Sequence, residues 1–309
     1  MPSWNQVLAE IQQKHADLNK YNQNHSPLDV VRKGYINQLT ERTGRNTICY
    51  YSSWLQKPGL AKTSITDDDK NAFMAAVHNM DRGKGLDLVL HTPGGDIAAT
   101  ESLVYYLRQM FGNNIRAIIP QIAMSAGTMI ACACSSIVMG KQSNIGPIDP
   151  QVGGLPAHGV IAEFDRAKDE IRRDPVCAAT WQPIIGKYHP TFLQSCEQAI
   201  ELSKSLVEQW LTTGMFDGED AADEKAQTVV SGLNNFVETK THSRHIHMDK
   251  ARELGLKVVS LEDDDELQDL VLTVHHAYQH TLANSPVLKI VENNLGQAMI
   301  INAPQNPSS

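Results

Sequence analysis

No stretch of this sequence carries the roughly 18 successive apolar residues that a bilayer-spanning helix requires. The N-terminal run MPSWNQVLAEIQQKHADLNKYNQ is polar and lacks the apolar h-region of a secretory signal. A cytoplasmic protein without a membrane span is therefore expected. An excess of positive charge is missing too: 27 Lys and Arg stand against 35 Asp and Glu, a formal net charge of −8. Nucleic-acid binders usually display a basic patch or stripe, so no nucleic-acid partner is expected. There is no Walker A segment and no GxGxxG, which removes the usual grounds for a nucleotide cofactor or for ATP. The five cysteines, Cys49, Cys132, Cys134, Cys177 and Cys196, are odd in number and form no CxxC pair. A disulfide framework or zinc ribbon is thereby disfavoured, and buried reduced thiols are expected. Aromatic residues are only 6% of the chain, yet apolar residues reach 41%, enough to build a sizeable core.

What the chain does have is alternation. Residues 4–20 and 28–43 read as two polar-rich helices, an N-terminal addition over residues 1–44. Asn46–Tyr51 is β-branched and aromatic and predicts a strand. Thr66, ahead of three aspartates, predicts an N-cap for a helix through Met80. Leu86–His91 is the next strand, Thr92–Gly95 a turn, and 97–111 a helix. A strand at 115–120, a helix at 125–134 and a strand at 136–140 follow. Strands and helices in turn with short connections predict an α/β fold with a largely parallel sheet. After Pro150 the pattern becomes mainly helical, over 157–173 and 191–213, with the acidic stretch 217–224 as a loop or helix start. A short helix at 248–254, a strand at 257–261, a helix at 264–283 and a hairpin over 287–301 close the chain. Residues 263–309 thus read as a C-terminal helix and hairpin tail.

Two junctions stand out, because catalytic groups in open α/β sheets gather where strands end and helices begin. Ser125 lies just past an apolar strand, between small residues, and opens a helix poor in charge. Its hydroxyl would be exposed at a tight turn, beside the unpaired N–H groups of a first helical turn. Taken alone, such a serine reads as a simple N-cap. Pro93-Gly94-Gly95 permits positive φ and close backbone approach, although taken alone it is a turn. Together the two junctions offer a nucleophile and an oxyanion donor at the same ends of neighbouring strands.

The segments His91-Thr-Pro-Gly-Gly-Asp96, Ala123-Met-Ser-Ala-Gly-Thr-Met-Ile130 and Met139–Gln151, in this order and spacing, resemble the Clp-fold serine proteases. The sequence is most similar to the serine dehydrogenase proteinases, relatives of Clp protease and signal peptide peptidase A. The resemblance covers roughly residues 45–262. It implies a Clp/crotonase-like core of repeated β-β-α units over 45–262, with Ser125 as nucleophile and the amides of Gly95 and Ala126 as oxyanion donors. It further implies an ATP-independent peptidase acting on a peptide or protein substrate, without cofactor or metal, and assembled as a homo-oligomer.

The base is where this sequence departs from Clp proteases. Asp149, in Ile148-Asp-Pro-Gln-Val-Gly-Gly154, stands where their histidine would be. The serine dehydrogenase proteinases are described as having a Ser, Asp, His triad in chain order. The resemblance therefore makes Asp149 the acid, and makes His242, in the threonine-histidine segment ahead of Ala251-Arg-Glu-Leu-Gly-Leu256, the base. A histidine suits proton transfer near neutral pH, and a carboxylate can orient it. The rival is a Ser–Lys dyad with Lys168. A lysine base must be desolvated, whereas Lys168 is crowded by carboxylates that favour the ammonium form. His242, His245 and His247 also suggest a metal, but no further ligand at fixed spacing accompanies them. Two other readings stay open: a catalytically silent scaffold of the same fold, and a crotonase-type enzyme acting on an acyl-thioester, which uses an oxyanion hole without a serine nucleophile.

Overall fold

The computed structural model of the chain describes residues 4–20, 26–234 and 244–304. Strands β1 (Asn46–Ser52), β2 (Leu86–His91) and β3 (Ile115–Ile119) precede the two-residue strand β4 (Ile122–Ala123) and β5 (Ser136–Met139). β1 and β2 are buried along their whole length. Strands covered on both faces carry near-continuous apolar residues in place of alternation. With β10 (Val258–Ser260), β11 (Val287–Asn293) and β12 (Ala298–Asn302), they build a seven-stranded sheet of order β10-β5-β3-β2-β1-β11-β12. The five strands from β10 to β1 run parallel; β11 and β12 are antiparallel additions beside β1.

Helices cover both faces of this sheet. On one side α3 (Asp68–Val77), α4 (Ile97–Phe111) and α5 (Ala126–Cys132) bring Phe73, Leu103 and Ile130 onto Leu88, Leu90 and Ile119. On the other, α2 (Pro27–Thr43) and α11 (Asp265–Ala283) bring Ile36, Val274 and Tyr278 onto Val89 and Ile118. Helix α1 (Trp4–Lys20) lies outside that layer, its Val7 and Ile11 against Val31 and Ala277. Helices α6 (Ala157–Arg173) and α8 (Phe192–Trp210) enclose a satellite core of Val160, Cys196 and Ile200. Between them sits α7 (Ala178–Ile185); α9 (Ala222–Leu233) and α10 (Met248–Glu253) follow. All five cysteines are unbridged, and all but Cys177 are buried. Among the described residues, no helix is long and apolar enough to cross a membrane.

The structure corrects several local expectations. Thr66 does not cap α3, because the Asp69 carboxylate turns back and accepts the Thr66 N–H at 2.9 Å. The acidic stretch, read as a loop or helix start, does supply the first turn of α9 through Asp223 and Glu224. Helix α7 lies between the two stretches read as helices, and it contains Pro183. A second small sheet joins β4 in parallel to β6 (Asn144–Ile145), which pairs antiparallel with β9 (Ile246–His247), and β7 (Gln151–Val152) forms an antiparallel ribbon with β8 (Leu155–Pro156).

His91, the last residue of β2, points away from the strand ends into a buried cluster. Its ring lies 4.4 Å from Trp54 and 5.2 Å from His275, centroid to centroid. Its Nε2 faces the Gln279 amide at 3.2 Å, while His275 Nδ1 faces the Tyr51 hydroxyl at 3.3 Å. Burial holds the His91 imidazole down at about 3. Burial, then the facing His91 and His276, holds His275 well below its ordinary range. Both are neutral in the folded protein, whereas the unfolded chain protonates them below about pH 6.5. Between that pH and about 3 the unfolded state binds more protons, so stability falls as pH falls. At pH 5 the His91 imidazole accounts for about 2 kcal/mol of lost stability, and His275 acts in the same direction. The melting temperature is expected to drop by about 5 °C or more between pH 7.5 and 5, and a His91→Gln/His275→Gln variant should show a flatter slope. A parent protein whose melting temperature is level across that window excludes this account.

Candidate active site

Two chain reversals at the ends of β2 and β4 build one cleft. Beyond β2, Thr92 pairs in parallel with Ala123 of β4: its N–H donates to Ile122 O at 3.2 Å, and its carbonyl accepts from Met124 N at 3.0 Å. The chain then turns through Pro93, Gly94 and Gly95 to Asp96, whose carboxylate caps α4 by accepting the Ala99 N–H at 2.8 Å. Gly94 has φ +94, and a Cβ there would lie 2.7–2.9 Å from Met124 O, Ser125 Cβ and Ala126 N. The bare Cα is what allows this turn to rest directly against the second one.

That second turn runs from β4 through Met124 and Ser125 into α5. Ser125 has φ 51 and ψ −117, and its side chain makes no capping hydrogen bond. A non-glycine residue at positive φ is strained by about 1–2 kcal/mol. Its hydroxyl has no hydrogen-bond partner among the described residues. The N-cap reading therefore does not hold: the strain is not repaid by capping, and its effect is to lift Oγ into the cleft. Ser125 follows the short strand β4 rather than the long β3, a detail the sequence pattern did not reveal.

Gly95 borders the same cleft as Ser125. Gly95 pairs in parallel with Ile65: Ile65 N–H donates to Gly94 O at 2.8 Å, and Asp96 N–H donates to Ile65 O at 3.0 Å. Strand geometry then turns the Gly95 N–H to the opposite side. A Cβ on Gly95 would overlap Ile65 N and O. In the first turn of α5, Gly127 N–H returns to Met124 O at 2.8 Å, and the Ala126 N–H makes no hydrogen bond among the described residues. The cleft bordered by Gly95 and Ser125 encloses about 340 Å³, with Ile97, Met129, Ile148 and Pro150 as apolar lining and Ser64 and Gln151 at its sides.

Asp149 sits between two lining residues, Ile148 and Pro150, and is 1% exposed. Its segment is held on three sides: Ile148 N–H donates to Leu233 O at 3.1 Å, Ser203 Oγ donates to Ile148 O at 2.8 Å, and Ala157 N–H donates to Pro150 O at 3.0 Å. His242 lies outside the described residues. The flanks of its segment are described: Leu233 meets Ile148, and Ile246 pairs with Ile145, which in turn pairs with Ala123 two residues before Ser125. His247 Nδ1 accepts from Lys250 N at 3.5 Å and caps α10. Lys168 is not brought to the cleft: it lies on the outer face of α6, 61% exposed, paired with Asp165 at 3.0 Å. One imidazole escaped the sequence reading. His158, in the first turn of α6, meets Asn234 Oδ1 at 2.9 Å through Nε2, next to the Pro150–Ala157 contact; an isolated histidine opening an amphipathic helix gave no signal.

A family model described as ClpP-like SDH-type serine proteinase matches residues 58–292, an interval that contains every residue of this cleft. Two uncharacterized proteins of Methanocaldococcus jannaschii are similar to the chain. One is 28% identical over 194 residues, 63% of this chain and 59% of the relative. The other is 28% identical over 215 residues, 70% of this chain and 66% of the relative. The chain thus spans 59% and 66% of the lengths of these two relatives.

Proposed function

The chain belongs to the family of ClpP-like SDH-type serine proteinases, and on that premise we propose that it is an ATP-independent serine peptidase that works through an acyl-enzyme on Ser125. The observation that carries this reading is the strained Ser125 turn, whose uncapped side chain shares a cleft with Gly95. In the proposed reaction Ser125 Oγ attacks the scissile carbonyl carbon while a base takes its proton. The oxyanion that forms accepts from Gly95 and Ala126 N–H, donors already fixed in place by the backbone. The base then delivers its proton to the leaving amine, and water hydrolyses the ester by the same steps. His242 is the proposed base and Asp149 its orienting carboxylate. What supports them is the burial of Asp149 beside the cleft and the anchoring of both flanks of the 235–243 segment next to it. The substrate is a peptide or protein, and the proposed setting is a cytoplasmic homo-oligomer.

The strain at Ser125 favours this reading over a silent scaffold or an acyl-thioester enzyme, neither of which needs a serine held at positive φ. A fluorophosphonate probe tests it. The folded protein should gain one adduct, located by peptide mapping on Ser125. A folded protein that takes up no label, or takes it up elsewhere, overturns the proposal.

The oxyanion assignment has its own test at Gly95. Any side chain there must displace the Ile65 backbone, and with it the direction of the Gly95 N–H. Gly95→Val should lower kcat by about a hundredfold or more, the scale of losing one oxyanion donor. Normal turnover in the folded fraction, with only the melting temperature changed, would count against Gly95 as a donor.

A further inference from the structure

The segment 63–66 runs beside the Gly94–Asp96 turn, and its backbone is held by buried side chains. Ser52 Oγ donates to Thr63 O at 2.6 Å. Lys289 Nζ donates to Ser64 O at 2.7 Å. Asp69 Oδ2 accepts the Thr66 N–H at 2.9 Å. Ile65, between these clamps, makes both backbone bonds to Gly94 and Asp96 described above. The two clamping residues are themselves an ion pair: Nζ lies 2.8 Å from each oxygen of the Asp69 carboxylate, and both side chains are 1% exposed. The Tyr50 hydroxyl also donates to Asp69 Oδ2, at 3.1 Å.

A buried ion pair gives up hydration that its mutual attraction scarcely offsets, and well-packed apolar residues often serve stability as well or better. An apolar pair could not bind the Ser64 carbonyl or the Thr66 N–H. These two bonds fix the segment that in turn directs the Gly95 N–H. Lys289 comes from β11 and Asp69 from α3, so the pair ties the C-terminal hairpin to the rim of the cleft.

We propose that Lys289 and Asp69 are positioning residues for the oxyanion hole: clamping Ser64 and Thr66, they hold Ile65 against Gly94–Asp96 and keep the Gly95 N–H aimed into the cleft. This rests on the peptidase reading above. Neither residue touches substrate. The expected kinetic signature is loss of kcat with little change in KM, because a donor displaced by a fraction of an ångström fails mainly in the transition state.

The test compares two double variants. Lys289→Met/Asp69→Leu removes both clamping bonds without leaving a buried charge. Arg32→Met/Glu292→Gln removes the other buried ion pair reaching β11, which contacts Thr281 and Tyr278 and not the cleft. The first should lower kcat at least about tenfold with KM within about twofold, and should speed amide exchange across residues 94–96 at least about tenfold. The second should leave both at parental values, whatever its melting temperature. Ser52→Ala, which drops only the bond to Thr63 O, is the fallback should the first variant not fold; it should move both readouts the same way, by about threefold. Unchanged exchange across residues 94–96 in the folded clamp variants overturns the proposal, whether or not the enzyme turns over. So does accelerated exchange at parental kcat, and so does an equal response in the Arg32 and Glu292 pair. A parent protein that neither labels nor hydrolyses peptide removes the peptidase reading by itself, and the exchange measurement separates that failure from failure of the clamp.

Discussion

Ser125→Gly is expected to abolish peptide hydrolysis and to raise the melting temperature in the same protein. The first effect follows from loss of the attacking hydroxyl. Members of a nucleophile–base unit fail together, and removing one costs roughly four to six orders of magnitude in kcat. The second follows from the backbone. Ser125 is held at φ 51 and ψ −117, a region glycine enters freely and a residue with Cβ enters at a cost of about 1–3 kcal/mol. Glycine's greater freedom in the unfolded chain takes back part of that gain. A net gain of about 1 kcal/mol remains, worth about 1–3 °C. Ser125→Ala keeps the Cβ and the strain, so it should be equally inactive yet melt with the parent. The pair of variants separates chemistry from conformation: rates come from a peptide assay, stabilities from calorimetry. Residual hydrolysis within a hundredfold of the parent in either variant removes Ser125 from its proposed role. A Ser125→Gly protein that melts below the parent shows that the turn is not strained.

The long elements of the sheet were legible because burial writes itself into their sequences. β1 and β2 are buried at every position, and each reads as a run of β-branched, aromatic or leucine residues. The Thr92–Gly95 turn and Ser125 were legible through glycine and small residues at strand ends. The two-residue strands β4, β6 and β9 were not, since a period of two needs about four residues to register. Yet these strands seat the Ser125 turn and bring the C-terminal flank of the 235–243 segment beside it. The Thr66 cap was misread because the acidic cluster that suggested a helix start supplied a carboxylate directed backwards, onto Thr66 itself. The Lys289–Asp69 pair spans 220 positions; a lone lysine in an apolar strand carries no mark of its partner. The carboxylates around Lys168 were legible, and the structure gives one of them, Asp165, as its ion-pair partner.

The base decides the remaining chemistry, and four single variants on one peptide substrate rank the candidates. With His242 as base, the rate should rise with pH through an ionisation near that of imidazole, roughly 6–7. His242→Ala should then cost nearly as much as the loss of Ser125, since the two act as a unit. Asp149→Asn should cost less, because a buried orienting carboxylate fixes the imidazole without taking the proton. Lys168→Met should be silent, for its ammonium lies in solvent beside Asp165, on the outer face of α6. His158→Ala should also leave the pH profile in place, although its contact with Asn234, the residue that leads into the 235–243 segment, makes a modest loss of rate reasonable. A silent His242→Ala together with a dead Lys168→Met would overturn the triad in favour of a dyad. A silent His242→Ala with His158→Ala dead, and the acidic limb of the profile gone with it, would transfer the role to His158. Only the loss of both rate and acidic limb in His242→Ala, with Lys168 and His158 dispensable, sustains the assignment.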